Sequence, residues 1–527
     1  MENVFLYTSR ARPEEGIVYT PAPVARDMVR TLLSTWLESY FPGERDQINE
    51  FLIHGNSPSL ARRILLRLIS ATFCDPAVGE GVFLTALVSL LRDIFPLEYQ
   101  SLLNSWIGGN VNGWDVEGDT IARMQNRFSP PLPLKTGDFL LSSGTEKFDL
   151  MIANPPYVRQ EKLERDYKQK LQARFRKMAP EWKVSQRTDY YLYFMLAMCL
   201  RLKQNGVFTA IIPNGWLDNA FGQVFRELLT TEFSLQRIET LLGRRHFKAE
   251  VNTVIITVQR NRPGPADSIR IITETKRRDF PQSALIRVKL GWNGSLFRAP
   301  DWLLQTISDR KNIVPLETVA EVRAGIITGN NRRYYSNESQ RSTDIPVIKS
   351  PREIKTYTVG AGDCRWWLPV EKVPYTIRRA PILWPDLRGR RHFVVHNPEN
   401  LAFEHTFYGL TPMIGSAESL VLILNSIWVR LLVEIYGRTG LGGGAIRMVK
   451  RDLVQLPIPD PRSLDWSQEH YRTLQDEIGV ENQARCRERD VFILRELGLE
   501  NRREEMQYLL NYFIEQRQAR AQNQNHG

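Results

Sequence analysis

Apolar positions in the first half of the chain follow two alternating periods. Between Ala22 and Tyr40 they fall at Val24, Met28, Leu32, Leu33 and Leu37, the spacing of one helix face, entered through Thr20-Pro21 and closed by Pro42-Gly43. Similar spacing predicts helices over Ala61 to Ile69, Val82 to Phe95, Thr120 to Phe128 and Asp189 to Lys203. Between them stand short continuous apolar runs at Thr72 to Cys74, Val111 to Trp114, Phe148 to Ala153, Gly206 to Ile212 and Val251 to Val258. Runs without polar alternation suit strands covered on both faces of a parallel sheet. Strand alternating with helix at this rhythm predicts a Rossmann-like, doubly wound α/β domain.

The pattern changes after Gln259. A Pro/Gly break follows at Arg260 to Ala266, and Ser268 to Trp292 reads as β-structure closing the first domain. From about Pro315 the helical spacing fades, and short apolar pieces alternate with Gly, Pro, Arg and Trp, which predicts a loop-rich α+β domain. From Ser467 onward the chain is charged and helical, with apolar residues at Val491, Leu494, Leu497, Tyr508, Leu509, Leu510 and Phe513. The expected division is 1–300, 301–465, and a helical segment 466–527 packing on the middle domain.

Composition narrows the class. Hydrophobic residues make up 42% and charged residues 24% of the 527, which excludes a largely disordered chain. A formal charge of +11 favours a polyanionic partner. Cys74, Cys199, Cys364 and Cys486 stand far apart, and the seven histidines form no metal-binding spacing, so neither a disulfide scaffold nor a metal is expected. The start lacks the apolar core of a signal peptide, and the apolar run Leu192 to Leu200 stops at Arg201, short of a membrane span. A cytoplasmic protein with no membrane partner is expected.

The strongest chemical signal is Asn154-Pro155-Pro156-Tyr157, straight after the run Met151 to Ala153. An amino group on an aromatic ring is a poor nucleophile because its lone pair is delocalised. An Asn side-chain oxygen and a backbone carbonyl beside proline can accept both of its protons and aim the lone pair. Proline stiffens such a loop, and the Tyr157 ring offers a stacking face. Alone, the segment could also be a polar turn, though the chemistry is favoured. It is not alone. Asp75-Pro76-Ala77-Val78-Gly79-Glu80-Gly81 joins a strand to a helix, as a loop would that wraps an amino-acid-bearing ligand with Asp75 on its ammonium. Asp115 ends the next strand, where an acid grips ribose hydroxyls. Asp138-Phe139, after Lys135-Thr-Gly, could hold an adenine amino group and stack its ring. Four signals in order at successive strand ends point to methyl transfer from S-adenosylmethionine to an amino group.

These residues, in this order, resemble the γ-class (TaqI-like) N6-adenine DNA methyltransferases of type II restriction–modification systems. The resemblance implies that Tyr19, Thr20 and Pro21 close over the methionine end of the cofactor. It also implies an aromatic residue stacking on a flipped base, at Phe247 with Trp216 as a rival. The second half resembles, more weakly, the target-recognition domains of these systems, through Val319 to Asn331, Leu424-Asn-Ser426, Gly442 to Gly444 and Leu456 to Pro459. Such domains read base edges with Arg, Lys, Asn and Gln. Candidates are Asn330, Asn331, Arg332, Arg333 and Arg447, with Arg159, Lys162 and Arg165 meeting phosphates beside the catalytic loop. The implied partner is double-stranded DNA, with the adenine flipped out, and a separately encoded restriction endonuclease as its counterpart. A monomer is expected.

No cysteine follows a proline, which excludes cytosine-C5 chemistry, and no GxxxxGK[ST] exists for a P-loop ATPase. Pro300-Asp301 with Asp309-Arg-Lys311 mimics a nuclease motif, but Leu303, Leu304 and Ile307 make this one helix, whereas that metal site needs neighbouring strands. A modification enzyme not fused to a nuclease is therefore expected. Open alternatives are an RNA base or protein glutamine as acceptor, N4 of cytosine, and a DNA-binding specificity subunit without catalysis.

Overall fold

The computed structural model describes residues 20–240, 253–264, 266–274, 276–287, 290–309, 312–339, 341–369, 376–439, 444–480 and 482–524. They divide into two compact units between Ile286 and Arg287, ahead of the expected division at 300.

The first unit is built on nine strands: β1 (Phe73–Asp75), β2 (Val111–Asp115), β3 (Leu134–Thr136), β4 (Phe148–Ala153), β5 (Leu202–Pro213), β6 (Ser234–Thr240), β7 (Thr253–Gln259), β8 (Ser268–Ile272) and β9 (Arg277–Pro281). Their order across the sheet is β3-β2-β1-β4-β5-β7-β6-β8-β9. The first five in that order are parallel, while β7 runs antiparallel between β5 and β6. The helices are α1 (Ala22–Glu38), α2 (Arg45–His54), α3 (Pro58–Leu68), α4 (Val82–Ile94), α5 (Gln100–Asn110), α6 (Gly118–Arg127), α7 (Arg165–Met178), α8 (Tyr190–Arg201) and α9 (Gln223–Thr231).

Period-two alternation in the strands divides their side chains between two cores. Phe73, Leu150, Ile152, Val207 and Ile211 join one cluster with apolar residues of α1 to α5. Met151 and Phe208, on alternate positions, are equally buried outside that cluster, and α8 packs on β5. Burial on both faces explains why these strands are unbroken apolar runs.

The expected doubly wound α/β domain is present, with differences in detail. Ser268 to Trp292 is β-structure only through Pro281, after which Gln282–Arg287 and Trp292–Phe297 are helical. In the second unit short strands form four small sheets. From Pro315 to Ser416 the α-helix among the described residues is the four-residue Asn331–Tyr334, and helices return with the largely buried Ala417–Leu424 and Ile427–Tyr436. In Ile427–Tyr436 the two charged residues, Arg430 and Glu434, stand four apart on one face of an otherwise apolar helix. No single described helix is long and apolar enough to cross a membrane. The C-terminal helix Arg503–Gln524 packs within this second unit, where Arg517 makes a buried two-point ion pair with Glu434, at 3.1 and 2.7 Å.

Candidate functional site

The loops that leave β1, β2, β3 and β4 all emerge at the C-terminal edge of the parallel strands. Strand order reverses between β1 and β4, the place where open α/β sheets hold ligands. The two strands are hydrogen-bonded neighbours, with Cys74 opposite Met151. Asp75 and Asn154 therefore leave the same sheet edge on neighbouring strands, Asp75 level with Ile152 and Asn154 two residues further along.

Asp75 is fully buried. Its Oδ1 accepts the Ala77 N–H at 3.0 Å, which closes the turn, while Oδ2 is buried without a hydrogen-bond partner among the described residues. Burial pushes this carboxyl up to about 7; the Ala77 N–H works against that shift, and the Asp115 charge adds to it. A buried acceptor without a donor is costly unless a ligand supplies one. The loop continues with Val78 N–H on the Trp114 carbonyl at 3.0 Å and Gly79 N–H on Asp115 Oδ2 at 2.8 Å. Gly81 enters α4 at φ +69°, and any Cβ there would strike the Met124 thioether. Only glycine satisfies both demands.

Asp115 thus ties the first loop to the second strand, and its Oδ1 accepts the Glu117 N–H at 2.9 Å. Asp138 accepts the Leu140 N–H at 2.8 Å and the Tyr167 hydroxyl at 2.7 Å. Phe139 does not offer a face for an adenine ring, contrary to the sequence expectation. It is 2% exposed, with the Arg201 guanidinium 4.3 Å over its ring and Phe194 stacked parallel to it at 6.4 Å. An aromatic residue after a strand-end acid is here part of the core.

At the end of β4, the Asn154 side-chain NH2 donates to the Thr20 hydroxyl at 3.0 Å. This ties the Thr20-Pro21 segment before α1 to the Asn-Pro-Pro loop. Tyr157 packs against the first core cluster and donates its hydroxyl to the Ile211 carbonyl at 3.3 Å; burial raises its pKa. The segment beyond is pinned to α8, since Gln160 N–H donates to Asp189 Oδ1 at 3.0 Å and Tyr190 N–H to the Val158 carbonyl at 3.1 Å. Asp189 was not singled out from sequence, although an acid before an apolar helix is a capping signal. Trp216, the rival base platform, is fully buried edge-on to Phe225. Tyr19 and Phe247 lie outside the described residues.

Arg159, Lys162 and Arg165 are exposed beside the loop. In the second unit the candidate base readers separate into two groups. Arg332 and Arg333 are exposed. Asn330 instead caps the helix Asn331–Tyr334 by accepting the Arg333 N–H at 3.2 Å, and Asn331 donates to Glu404 at 3.3 Å. Arg447 is paired with Asp386 at 2.9 and 2.7 Å, and that contact raises its pKa further. These three side chains each make a contact within the second unit, while Asn330 and Asn331 remain exposed. A groove of about 780 Å³ instead opens along the strand Ala320–Ala324, with Arg323, Arg378 and Lys450 in its wall beside Glu321.

Residues 99–247 match the Eco57I restriction-modification methylase family. The chain is 22% identical over 507 residues to the Type II methyltransferase M.BstVI of Geobacillus stearothermophilus, covering 78% of this chain and 88% of that one. It is 22% identical over 487 residues to M.PaeR7I of Pseudomonas aeruginosa, covering 73% and 80%. A shorter stretch of 139 residues is 34% identical to M.BanIII of Aneurinibacillus aneurinilyticus, 25% of this chain and 23% of that one. Among solved structures, the fold is similar to that of the Type IIL restriction-modification enzyme MmeI in complex with DNA, with a TM-score of 0.54 and 12% identity over 95% of this chain and 79% of that one.

Proposed function

We infer that this chain, a DNA methyltransferase of the restriction–modification kind, transfers the methyl group of S-adenosylmethionine to N6 of an adenine turned out of the duplex. One adjacency carries the reading: a buried carboxylate lacking a donor and an amide-bearing Pro-Pro loop leave neighbouring strands at the same sheet edge. An ammonium group is the donor that Asp75 Oδ2 lacks, which fits the methionine end of the cofactor. Asp115 and Asp138 keep lone pairs beyond those they use internally and stand where ribose hydroxyls and an adenine amino group would be held. When bound, S-adenosylmethionine supplies an electrophilic methyl group on a sulfonium centre.

The chain's part is to make the amine reactive. The Asn154 side-chain oxygen and the Pro155 carbonyl accept the two N6 protons, which directs the lone pair out of the ring plane. Both oxygens also stabilise the positive charge that grows on nitrogen during transfer. Tyr157, held through its hydroxyl, gives the base a fixed surface, and positioning contributes the rest. The type II methyltransferase relatives favour this reading over RNA, protein or a non-catalytic subunit. Supplying labelled cofactor with duplex DNA, RNA and protein tests it: label should enter duplex DNA, and label confined to RNA or protein would refute it.

Duplex recognition is assigned to the second unit's groove. Replacing Arg378 and Lys450 together by alanine should weaken duplex binding about fivefold and flatten the dependence of log affinity on log salt by up to ~0.9 per lost phosphate contact. Fluorescence anisotropy at several salt concentrations reads both quantities. An unchanged slope would place the duplex elsewhere.

A further inference from the structure

An asparagine amide carries one acceptor at one end and two donors at the other, and rotation about its last torsion exchanges them. For an amino group arriving with two donors, only one orientation is useful. Turned the other way, the Asn154 NH2 would confront N6–H and offer nothing to accept it. We propose that Thr20 is a positioning residue that holds the Asn154 amide with its oxygen toward the target nitrogen; this rests on the reading of Asn154 given above.

The geometry supports the role. The Thr20 hydroxyl accepts the Asn154 NH2 at 3.0 Å across 134 residues of sequence. Thr20 is buried, at 8% exposed, and the bond is part-buried, which limits competition from water. Its place is set by α1, which begins two residues later behind Pro21 and packs on β4, β5 and α4. Helix and catalytic loop are thus fixed to the same strands, and their contact holds the amide at a defined angle. The family resemblance puts Thr20 on the cofactor; the hydrogen bond puts it on the catalytic amide. These roles differ in what they change.

The test is Thr20→Val, which keeps shape and removes the acceptor, alongside Thr20→Ser, which restores it. With cofactor and duplex saturating, single-turnover methyl transfer by T20V should fall about tenfold, while both dissociation constants stay within about twofold of the parent's. T20S should recover most of the rate. Should T20V fail to fold, T20A against T20S provides the same comparison. A parental rate in T20V, a loss confined to cofactor affinity, or a T20S as slow as T20V would each overturn the proposal. If Asn154→Ala is impaired and T20V is not, Thr20 alone is wrongly assigned. A parent that methylates no duplex DNA overturns the underlying function and this role with it.

Discussion

Asn154→Ala should lower methyl transfer to duplex DNA about 10²–10³-fold, the usual consequence of removing one preorganised group that stabilises developing charge. In the proposed mechanism the side chain acts on the reacting nitrogen, so affinities for S-adenosylmethionine and duplex should change by less than about threefold. The substitution also sits at the end of β4, where Ala153 is already buried and Pro155 and Pro156 define the loop. The fold should therefore persist, and the loss should appear in the rate at saturation, measured in a single turnover. A variant that transfers methyl groups at the parental rate would remove Asn154 from the chemistry. One that no longer binds cofactor would make it a structural residue.

The second large effect concerns Asp75. In the free protein burial holds this carboxyl at about 7, against an ordinary 3.8. The folded chain therefore keeps a proton that the unfolded chain releases near pH 4. Stability from this source is present at low pH and is lost as pH rises from about 4 to 7. A cofactor ammonium reverses the preference, because it pairs with the carboxylate. Cofactor affinity should thus rise with pH, by up to about tenfold per unit below pH 7 and levelling off above it. Binding at pH 6 should release a proton, and thermal stabilisation by the cofactor should be larger at pH 8 than at pH 6. Asp75→Asn keeps an acceptor for the Ala77 N–H but loses the charge, and should weaken cofactor binding about 10–100-fold while flattening the pH dependence. Calorimetry at pH 6, 7 and 8 in two buffers measures affinity and proton release together. Parental binding by D75N, or a dissociation constant independent of pH, would contradict the assignment.

The central strands were legible because burial on both faces demands unbroken apolar runs, as at Phe148–Ala153. Two strands escaped that rule. Leu134–Thr136 buries only Leu134, and Ser234–Thr240 carries Gln236, Arg237 and Glu239. The loops were legible through glycine and proline spacing, since their backbone shape is required by local chemistry. Side-chain commitments were not. Phe139 and Trp216 have the composition of stacking surfaces, and only packing reveals that their rings are enclosed. The contacts of Asn331 with Glu404 and of Arg447 with Asp386 likewise have no local signal in the sequence. The bond from Asn154 to Thr20 follows from tertiary packing of α1 and has no local signal in the sequence.

In the proposed reaction an exocyclic ring nitrogen, N6 of adenine, is the atom that receives the methyl group. Incubating the protein with duplex DNA and methyl-labelled S-adenosylmethionine, digesting to nucleosides and separating them by mass tests it most directly. Label should appear in N6-methyldeoxyadenosine. Label in 5-methyldeoxycytidine or N4-methyldeoxycytidine, or no labelled nucleoside from a protein that binds both cofactor and duplex, would contradict it.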